Sequence, residues 1–369
     1  MFLGAYQGRR VLLTGHTGFK GSWLASWLSD LGAEVCGYSD GVPTEPSHFE
    51  LAALSTRIDH RIGDVRDLDR LKALVHEFRP DFVLHLAAQA IVSTSYRQPL
   101  DTFSTNVMGT ATVLEALRDV DWPCTAIMVT SDKAYENVEW PWGYRENDRL
   151  GGKDVYSASK GAAELVFHAY QQSFFNKPDA PVRVASARAG NVIGGGDWAA
   201  DRIVVDCVKA WTAGRPVEIR SPRATRPWQH VLEPLSGYLA LAADLARSPE
   251  RRGESYNFGP NPGQNRTVVE LITDLAAHWR AGTGAVPFEV TADIPFNEAG
   301  LLKLNCDKAL QDLRWRPTLE YEEVVALTGS WYQRVLQDGE DASAVTSEQT
   351  RAYERLATER NRAWAVASG

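Results

Sequence analysis

Short apolar runs alternate with segments of helical periodicity through the first half of the chain. This alternation predicts a parallel sheet with helices on both faces, because each helix returns the chain to the starting edge of the sheet. The predicted strands are 10–14, 33–38, a strand ending at 62–65, 81–88 and 126–130, and the predicted helices are 22–31, 68–78, 99–117 and 155–175.

The second half of the chain is less regular. An apolar run from residue 182 continues the sheet, and the glycines at 194–196 interrupt regular structure. Residues 256–260 are predicted to form the last strand of the main sheet. The other predicted helices are 201–213, 230–247, 267–279, 307–313 and 321–336, and the other short strands are 288–290 and 303–307.

The first strand runs directly into a glycine-rich loop, residues 15–21 (GHTGFKG), which precedes a helix. Strand, three spaced glycines and helix form a dinucleotide-binding arrangement, in which backbone amides approach a pyrophosphate at the helix N-terminus. The spacing Gly15-x-x-Gly18-x-x-Gly21 differs from the commoner Gly-x-Gly-x-x-Gly. An ordinary glycine turn is the alternative, but the strand and helix on either side favour the cofactor loop.

These patterns predict an α/β protein with a Rossmann-type doubly wound parallel sheet and a smaller, mixed α/β C-terminal substrate domain. Residues 1–190, with returning segments at about 230–260, form the dinucleotide-binding domain in this prediction. Residues 191–229 and 261–335 form the substrate domain, and residues 336–369 form a polar C-terminal tail.

Composition narrows the possible functions. The net charge of −8 over 369 residues argues against a protein whose main partner is nucleic acid or an anionic membrane. The four cysteines lie far apart without metal-ligand spacing, so we expect no metal site and reduced thiols in a cytoplasmic protein. We find no signal peptide and no apolar run long enough to span a bilayer.

A second motif, Tyr156-x-x-x-Lys160, lies on the predicted helix 155–175. A spacing of four places both side chains on one helical face, and an ammonium beside a phenol lowers the phenol pKa. A tyrosine in this state suits proton removal from a sugar hydroxyl while hydride leaves the same carbon. The motif alone is weak, and a packed tyrosine beside a solvated lysine is the alternative.

Charges near the glycine loop bear on the choice of dinucleotide. Asp40 lies near the expected offset for a group that binds the adenosine ribose, and a carboxylate there favours NAD because it repels a 2′-phosphate. Lys20, a cation inside the glycine loop, favours NADP. We predict NAD, with NADP as the less favoured alternative.

Other polar residues are placed toward the cofactor by their positions at strand ends and in a helix. Asp64 is predicted to meet the adenine amino group or, equally, to cap helix 68–78. Asn106 is either solvated or holds a water near the active site. The predicted cofactor-binding residues are Gly15, Thr17, Gly18, Phe19, Lys20, Gly21, Asp40, Asp64, Val65, Leu86, Ala87, Ala88, Asn106, Tyr156 and Lys160.

In their order and distances, these motifs resemble the extended short-chain dehydrogenase/reductase superfamily, and the longer ones resemble the CDP-glucose 4,6-dehydratases. Two positions depart from that family: Ala134 stands where Cys is common, and Gly300 where His is common. The longer motifs are 15–23 (GHTGFKGSW), 130–133 (TSDK), 142–147 (WGYREN), 188–198 (RAGNVIGGGDW) and 226–238 (RPWQHVLEPLSGY).

The resemblance implies conversion of CDP-glucose to CDP-4-keto-6-deoxyglucose, with loss of water and internal hydride transfer through NAD, in deoxysugar and lipopolysaccharide synthesis. It implies that Tyr156 takes the proton of the 4-hydroxyl, Lys160 lowers the tyrosine pKa and holds the nicotinamide ribose, and Ser131 bonds the same hydroxyl. Asp132 protonates the leaving 6-hydroxyl. Lys133 either assists removal of the C5 proton or acts only electrostatically.

On the substrate side, arginines suit phosphate oxygens because their planar fork binds two oxygens at once. Arg226 is the predicted diphosphate clamp, with a surface salt bridge as the alternative. The predicted substrate-binding residues are Thr130, Asn191, Arg202, Arg226, His230, Glu298 and Lys303.

Other functions remain open at this stage: a nucleotide-sugar 4-epimerase, a dehydratase for another nucleotide, or a non-catalytic dinucleotide-binding regulator. The pair Asp132 and Lys133 argues against the epimerase, and retention of Tyr156 and Lys160 argues against the regulator. The resemblance also implies a homodimer in which helices 99–117 and 155–175 form a four-helix interface. We expect no nucleic-acid or membrane partner.

Overall fold

The computed structural model describes residues 1–219, 222, 224–261, 263–279, 288–291 and 301–366. Its centre is a seven-stranded sheet in which every neighbouring pair of strands is parallel. The strands are β1 (Arg10–Thr14), β2 (Glu34–Ser39), β3 (Asp59–Ile62), β4 (Phe82–His85), β5 (Cys124–Val129), β6 (Val182–Ala189), β7 (Val192–Ile193), β8 (Val217–Ile219), β9 (Thr225–Arg226), β10 (Gln229–His230), β11 (Ser255–Phe258), β12 (Arg266–Thr267) and β13 (Phe288–Val290).

The order of the main sheet is β11-β6-β5-β4-β1-β2-β3. The direction of winding reverses between β1 and β4, so a crevice opens where the carboxyl ends of these two strands separate. The glycine loop follows β1 at this point, and Leu86 follows β4. The prediction of a doubly wound parallel α/β sheet is confirmed.

Helices cover both faces of the sheet. One large core contains apolar side chains of α1, α9, α12 and α13, and a second core on the opposite face contains those of α3, α6 and α7. The helices are α1 (Phe19–Asp30), α2 (His48–Leu51), α3 (Leu68–Phe78), α4 (Val92–Arg97), α5 (Pro99–Phe103), α6 (Gly109–Leu117), α7 (Val155–Tyr170), α8 (Ile203–Thr212), α9 (Leu232–Arg247), α10 (Val268–Ala276), α11 (Asp307–Leu313), α12 (Tyr321–Tyr332) and α13 (Ala342–Glu359).

Three predicted helices contain or end in π-helical turns that the periodicity did not indicate. The predicted helix 99–117 is divided into α5 and α6 by the turn Ser104–Met108, and the turns Gln171–Phe175 and Gln333–Gln337 extend α7 and α12. In the first turn, the side chain of Asn106 forms hydrogen bonds outside the helix. Such turns are frequent where a helix contributes to a functional site.

Short strand pairs accompany the main sheet in the second half: β7 with β10, β8 with β13, and β9 with β12. The predicted strand 288–290 is confirmed as β13. The predicted strand 303–307 is wrong, because its backbone forms only an isolated bridge between Leu304 and Tyr144. A side-chain cap with a capping box at Thr267 begins α10, as the sequence predicted for a helix with a threonine start.

The last segment packs against the first helix of the chain. The indole of Trp27 in α1 donates to Glu354 in α13 at 2.9 Å, and Trp364 stacks on Phe2 with ring centroids 5.0 Å apart. The described part of the 336–369 segment therefore contributes to the same core as α1. Among the described helices, none is both long and apolar enough to cross a membrane.

Candidate active site

The glycine loop has no room for side chains at two of its three glycines. Gly15 has φ +75°, and a Cβ there would lie 2.6 Å from the backbone nitrogen of Ala87. A Cβ on Gly21 would lie 2.0 Å from the carbonyl oxygen of Gly15. At Gly18, which caps α1, a Cβ would meet only that oxygen, at 3.4 Å. This surface at the start of a helix suits close approach by a pyrophosphate.

The ends of β1, β2 and β4 are joined by local hydrogen bonds. Thr17 donates its hydroxyl to the carbonyl of Gly41 at 2.6 Å, beside exposed Asp40. The backbone nitrogens of Leu86 and Ala87 donate to the carbonyl and hydroxyl of Thr14, at 3.1 and 3.3 Å. These bonds place the segment 86–88 next to the glycine loop, as predicted for a dinucleotide site.

Lys20 extends toward the catalytic cluster. Burial and the charge of Arg202 lower its pKa to about 8, against the opposing effects of Asp132 and Asp197. Lys20 is in turn the charged neighbour that lowers the pKa of Lys160, after burial. The charges that act on Lys20 thus belong to the substrate and catalytic side, which weakens the argument that Lys20 favours a 2′-phosphate.

Asp64 and Val65 follow β3. The guanidinium of Arg66 binds Asp64 at 2.6 Å and holds the pKa of that carboxyl below its usual value. The alternative that Asp64 caps helix 68–78 is wrong, because Asp67 is the N-cap of α3 and accepts from the backbone of Arg70. Val65 is buried beside Gly109.

Asn106 binds protein groups on two sides. Its Oδ1 accepts from the backbone nitrogen of Gln89 at 2.8 Å, and its Nδ2 donates to the carbonyl of Gln89 and the hydroxyl of Ser159. It is almost fully buried, so the alternative of a merely solvated side chain is wrong. Asn106 ties the loop after β4 to α7.

Tyr156 and Lys160 lie in the first turns of α7 and are almost fully buried. Asp154 caps this helix by accepting from the backbone of Ser157 at 2.9 Å. Ser131 follows β5 and is hydrogen-bonded to Tyr156, and its hydroxyl donates to Asp132 at 2.9 Å. The structure therefore brings together the tyrosine, the serine and the carboxylate.

Lys160 is not among the groups that mainly shift the pKa of Tyr156, so its predicted electrostatic effect is not confirmed. Burial raises the pKa of Tyr156, and the groups that lower it are Arg202 and the hydrogen bond with Ser131. Burial also lowers the pKa of Lys160 to about 8, because an ammonium loses hydration in this site. Arg202 is thus the cation that acts on the phenol in this state.

Glu164 and Arg188 form a buried ion pair beneath the site that the sequence argument missed. Both are fully buried, and the guanidinium binds the carboxylate twice, at 2.9 Å each. The hydroxyl of Thr130 donates to Glu164 at 2.5 Å, so this predicted substrate ligand is held by α7. Glu164 stands four residues after Lys160, a spacing that offered a signal for it.

On the substrate side, a small pocket of about 30 Å³ is lined by Asn191, Asp197, Arg202 and Trp228. Within the described chain, the amide nitrogen of Asn191 and the indole nitrogen of Trp228 are buried without hydrogen-bond partners. Burial raises the pKa of Asp197, and the positive charges of Arg202 and Lys20 partly offset this rise. Asp197 lies in a motif the sequence argument quoted without assigning it a role.

The remaining predicted substrate ligands lie in different surroundings. Arg226 is buried in β9 and donates to the carbonyl of Thr225 at 3.0 Å. His230 is buried in β10, with ring contact to Trp23. Lys303 is half-buried, and Glu298 lies outside the described residues.

No group of His, Cys, Asp and Glu side chains suited to a metal ion occurs in the ranges that the structure describes. The four cysteines are free thiols, and burial raises the pKa of each of them. Cys36, Cys124 and Cys207 are buried, whereas Cys306 is half-buried. The predicted core or near-core positions of the four cysteines are confirmed.

Fold and site together define an α/β protein with a Rossmann-type parallel sheet and a glycine loop suited to a dinucleotide. Residues 12–328 match the family model described as GDP-mannose 4,6 dehydratase, and the chain belongs to this family. It is 45% identical over 339 residues to a CDP-glucose 4,6-dehydratase of Salmonella typhimurium, covering 91% of this chain and 93% of that protein. The resemblance that the motifs predicted is confirmed.

More distant relatives share the fold. A dTDP-glucose 4,6-dehydratase of Xanthomonas campestris pv. campestris is 28% identical, covering 87% of this chain and 92% of that protein. The crystal structure of a dTDP-glucose 4,6-dehydratase from Streptomyces venezuelae, with NAD bound, aligns with a TM-score of 0.74 at 23% identity, over 90% of this chain and 99% of that chain. A UDP-glucose 4-epimerase from Thermotoga maritima aligns equally well, with a TM-score of 0.74 at 21% identity, over 89% and 99% of the two chains.

Proposed function

We propose that the protein is a CDP-glucose 4,6-dehydratase, a hydro-lyase that converts CDP-D-glucose to CDP-4-keto-6-deoxy-D-glucose. The observation that carries the proposal is the meeting of Tyr156, Ser131 and Asp132 at the carboxyl edge of the sheet. It occurs in a chain that is 45% identical to a protein named for this reaction.

NAD is the cofactor that the residues fit best. The exclusion of side chains at Gly15 and Gly21, and the open surface at Gly18, suit a pyrophosphate at the start of α1. Exposed Asp40 suits a ribose hydroxyl, and Lys20 is engaged with the charges of the catalytic side. Bound NAD would supply a reversible hydride acceptor for oxidation at C4 of the sugar and reduction at C6.

Three residues act at the first oxidation step. Tyr156 removes the proton of the sugar 4-hydroxyl through its phenolic oxygen, and Ser131 holds that hydroxyl by hydrogen bonding. Lys160 would bind the nicotinamide ribose, and Arg202 is the cation that lowers the pKa of the phenol. Burial raises the phenol pKa, and the charge of Arg202 and the hydrogen bond with Ser131 oppose that rise.

Elimination of water then uses the pair after Ser131. The 4-keto group makes the C5 proton acidic, so a weak base suffices to remove it. We assign Lys133 to assist that removal, and Asp132 to donate a proton to the departing 6-hydroxyl. Water leaves as this proton and the hydroxyl combine. The proton removed from C5 returns to C5 when the sugar is reduced at C6, and the proton held by Tyr156 passes through Ser131 to restore Asp132.

The nucleotide diphosphate belongs in the pocket between β7 and α8. Asn191 and Trp228, whose side-chain nitrogens are buried without partners among the described residues, line this pocket, and Arg202 adds positive charge. Diphosphate oxygens would satisfy these donors, which are otherwise costly to bury. Arg226 and His230 support the same region from β9 and β10, and Lys303 and Glu298 complete the proposed ligand set.

We place the reaction in the cytoplasm, in the synthesis of deoxysugars for lipopolysaccharide. Four free thiols are typical of a reducing compartment. We also propose a homodimer built on α5, the turn Ser104–Met108 and α7. Apolar side chains on these elements are exposed, and an exposed apolar face of this kind is commonly covered by a partner.

Incubation of the purified protein with CDP-glucose tests the proposal. We expect a product 18 Da lighter that absorbs in alkali as a 4-keto sugar, without net formation of NADH. A product of unchanged mass and altered configuration would instead mean an epimerase. Turnover of dTDP-glucose, UDP-glucose or GDP-mannose in place of CDP-glucose would move the assignment to another nucleotide, and inertness toward all four would reject it.

A further inference from the structure

A chain of buried hydrogen bonds runs from the C-terminal helix α13 to the glycine loop. The indole nitrogen of Trp331 donates to the hydroxyl of Thr346 at 3.0 Å, and this hydroxyl is bonded to Nε2 of His48 at 2.9 Å. Nδ1 of His48 is bonded to the hydroxyl of Ser22 at 2.8 Å, which donates to the carbonyl of Phe19 at 2.9 Å. Trp331, Thr346 and His48 are almost fully buried, as is Ser22.

The direction of each bond follows from its ends. The carbonyl of Phe19 can only accept and the indole of Trp331 can only donate. Nδ1 of His48 therefore donates a hydrogen bond to the hydroxyl of Ser22, and the hydroxyl of Thr346 donates a hydrogen bond to Nε2. His48 is therefore neutral and held in a single tautomer. Burial lowers the pKa of His48 to about 3, so this state persists through the physiological range of pH.

The same side chains enclose the glycine run of the substrate side. Trp23 stacks on His48 with ring centroids 5.1 Å apart and donates to the carbonyl of Gly195 at 2.9 Å. A Cβ on Gly195 would lie 2.0 Å from the ring of Trp331, and one on Gly196 would lie 2.6 Å from the ring of His48. The chain of hydrogen-bonded side chains thus contacts both the glycine loop, residues 15–21, and the glycine run at 194–196.

The enclosed segment leads directly into the substrate pocket. Tyr332, next to Trp331 in α12, donates to the backbone carbonyl of Asp197 at 2.6 Å. Asp197 lines the pocket and acts electrostatically on Lys20 of the glycine loop. A shift of Trp331 or His48 would therefore move residues that meet the sugar nucleotide.

We infer that α13 is a positioning element of the active site. Thr346 fixes His48 and Trp331, and these two rings fix the cofactor loop and the 194–197 segment relative to each other. Apolar packing alone would fill this space, whereas a fully satisfied polar chain specifies one arrangement of the rings. The effect expected on KM for CDP-glucose rests on the proposed dehydratase reaction, whereas the effect expected on NAD binding does not.

The test is the nearly isosteric substitution Thr346→Val, which leaves the indole of Trp331 and Nε2 of His48 without partners. Thr350→Val is the matched control, because Thr350 lies one turn later in α13 and is also buried. Its hydroxyl bonds only the carbonyl of Thr346 in its own helix, at 2.9 Å. Thr346→Ser restores the hydroxyl and serves as the rescue.

We expect Thr346→Val to raise KM for CDP-glucose and Kd for NAD by roughly tenfold each, since small displacements at such sites are costly. Thr350→Val and Thr346→Ser should stay within about twofold of the parent protein in both measurements. A Thr346→Val protein that has a lower Tm but unchanged KM and Kd would overturn the inference, because a purely structural role predicts that result.

Two further measurements keep the test decisive. If Thr346→Val does not fold, Trp331→Phe breaks the first bond while keeping a ring against Gly195, and it should raise KM and Kd by about threefold. Unchanged values in that variant would also overturn the inference. If the parent protein does not convert CDP-glucose, the proposed function fails, and NAD binding by titration still decides the positioning role of α13.

Discussion

The buried pair of Glu164 and Arg188 illustrates how single residues support a site that they do not enter. Glu164 lies one turn after Lys160, raises the pKa of that lysine, and receives hydrogen bonds from Thr130 and Ser186. Burial raises the pKa of Glu164, but Arg188 outweighs burial and keeps the net pKa low. The carboxylate therefore ties the catalytic helix to β5 and β6.

We predict that Glu164→Gln destabilises the protein by about 3 kcal/mol, because it leaves the Arg188 guanidinium buried without a counter-charge. Urea unfolding followed by circular dichroism measures the effect. Glu77→Gln is the control, since Glu77 pairs with Arg61 at an exposed site and should change stability by less than about 0.5 kcal/mol. Equal effects of the two substitutions would contradict the prediction.

Glu233 gives a pH-dependent prediction. Burial raises its pKa to about 7, although it accepts from the backbone of Thr318 and Leu319 and from the hydroxyl of Tyr353. Between the ordinary pKa of a glutamate and about 7, the folded protein holds a proton that the unfolded chain has lost. The contribution of Glu233 to stability therefore falls as pH rises through this window.

We predict that Glu233→Gln removes this contribution, since the amide stays neutral and its oxygen still accepts from the backbone. The stability difference between parent and variant should shift in favour of the variant by on the order of 3 kcal/mol from pH 4.5 to 7.5. Thermal unfolding of both proteins at several pH values measures it. A difference that does not vary with pH would show that Glu233 titrates normally.

At the scale of elements, substitutions in the glycine loop can distinguish an effect on folding from an effect on cofactor binding. A Cβ at Gly21 would overlap backbone, whereas one at Gly18 would make an ordinary contact. We predict that Gly18→Ala folds normally but raises Kd for NAD at least tenfold, because the methyl group occupies the surface that the pyrophosphate approaches. Calorimetric titration and thermal unfolding of the same samples measure both quantities.

Two further substitutions serve as comparisons for Gly18→Ala. Gly21→Ala should lower Tm markedly as well as weaken binding, since neither backbone segment can move away without displacing α1. Gly41→Ala adds a methyl group with nothing within 4 Å and should leave Tm unchanged. Normal affinity for NAD in Gly18→Ala would mean that the pyrophosphate lies elsewhere.

Periodicity located most elements because each strand and helix buries one clear apolar pattern. Periodicity did not predict local features that depend on side-chain hydrogen bonds. Asn106 forms hydrogen bonds outside its helix from a π-helical turn, and Asp67 rather than Asp64 caps α3. The candidate catalytic positions were visible as motifs, one after β5 and one on α7. The direction of Lys20 was not, because only the folded chain brings it near Asp197 and Arg202.

At the scale of the whole molecule, one apolar surface lacks a cover within the described chain. Leu100 is 83% exposed, Met108 57% and Leu165 61%, on three neighbouring elements of one side. Large apolar side chains concentrated in this way cost free energy in water, and a second copy of the same surface would bury them. This arrangement is the basis for the proposed homodimer.

If the proposed homodimer forms, Leu165→Glu should convert it to a monomer, because two carboxylates would be buried symmetrically and without partners across the interface. Light scattering at micromolar concentration should give about half the mass of the parent protein. Val290→Glu is the control, since Val290 is also 61% exposed but lies in β13, away from this surface. A parent protein that is already monomeric would reject the interface, whereas dissociation by both substitutions would mean that added charge alone, not this surface, controls assembly.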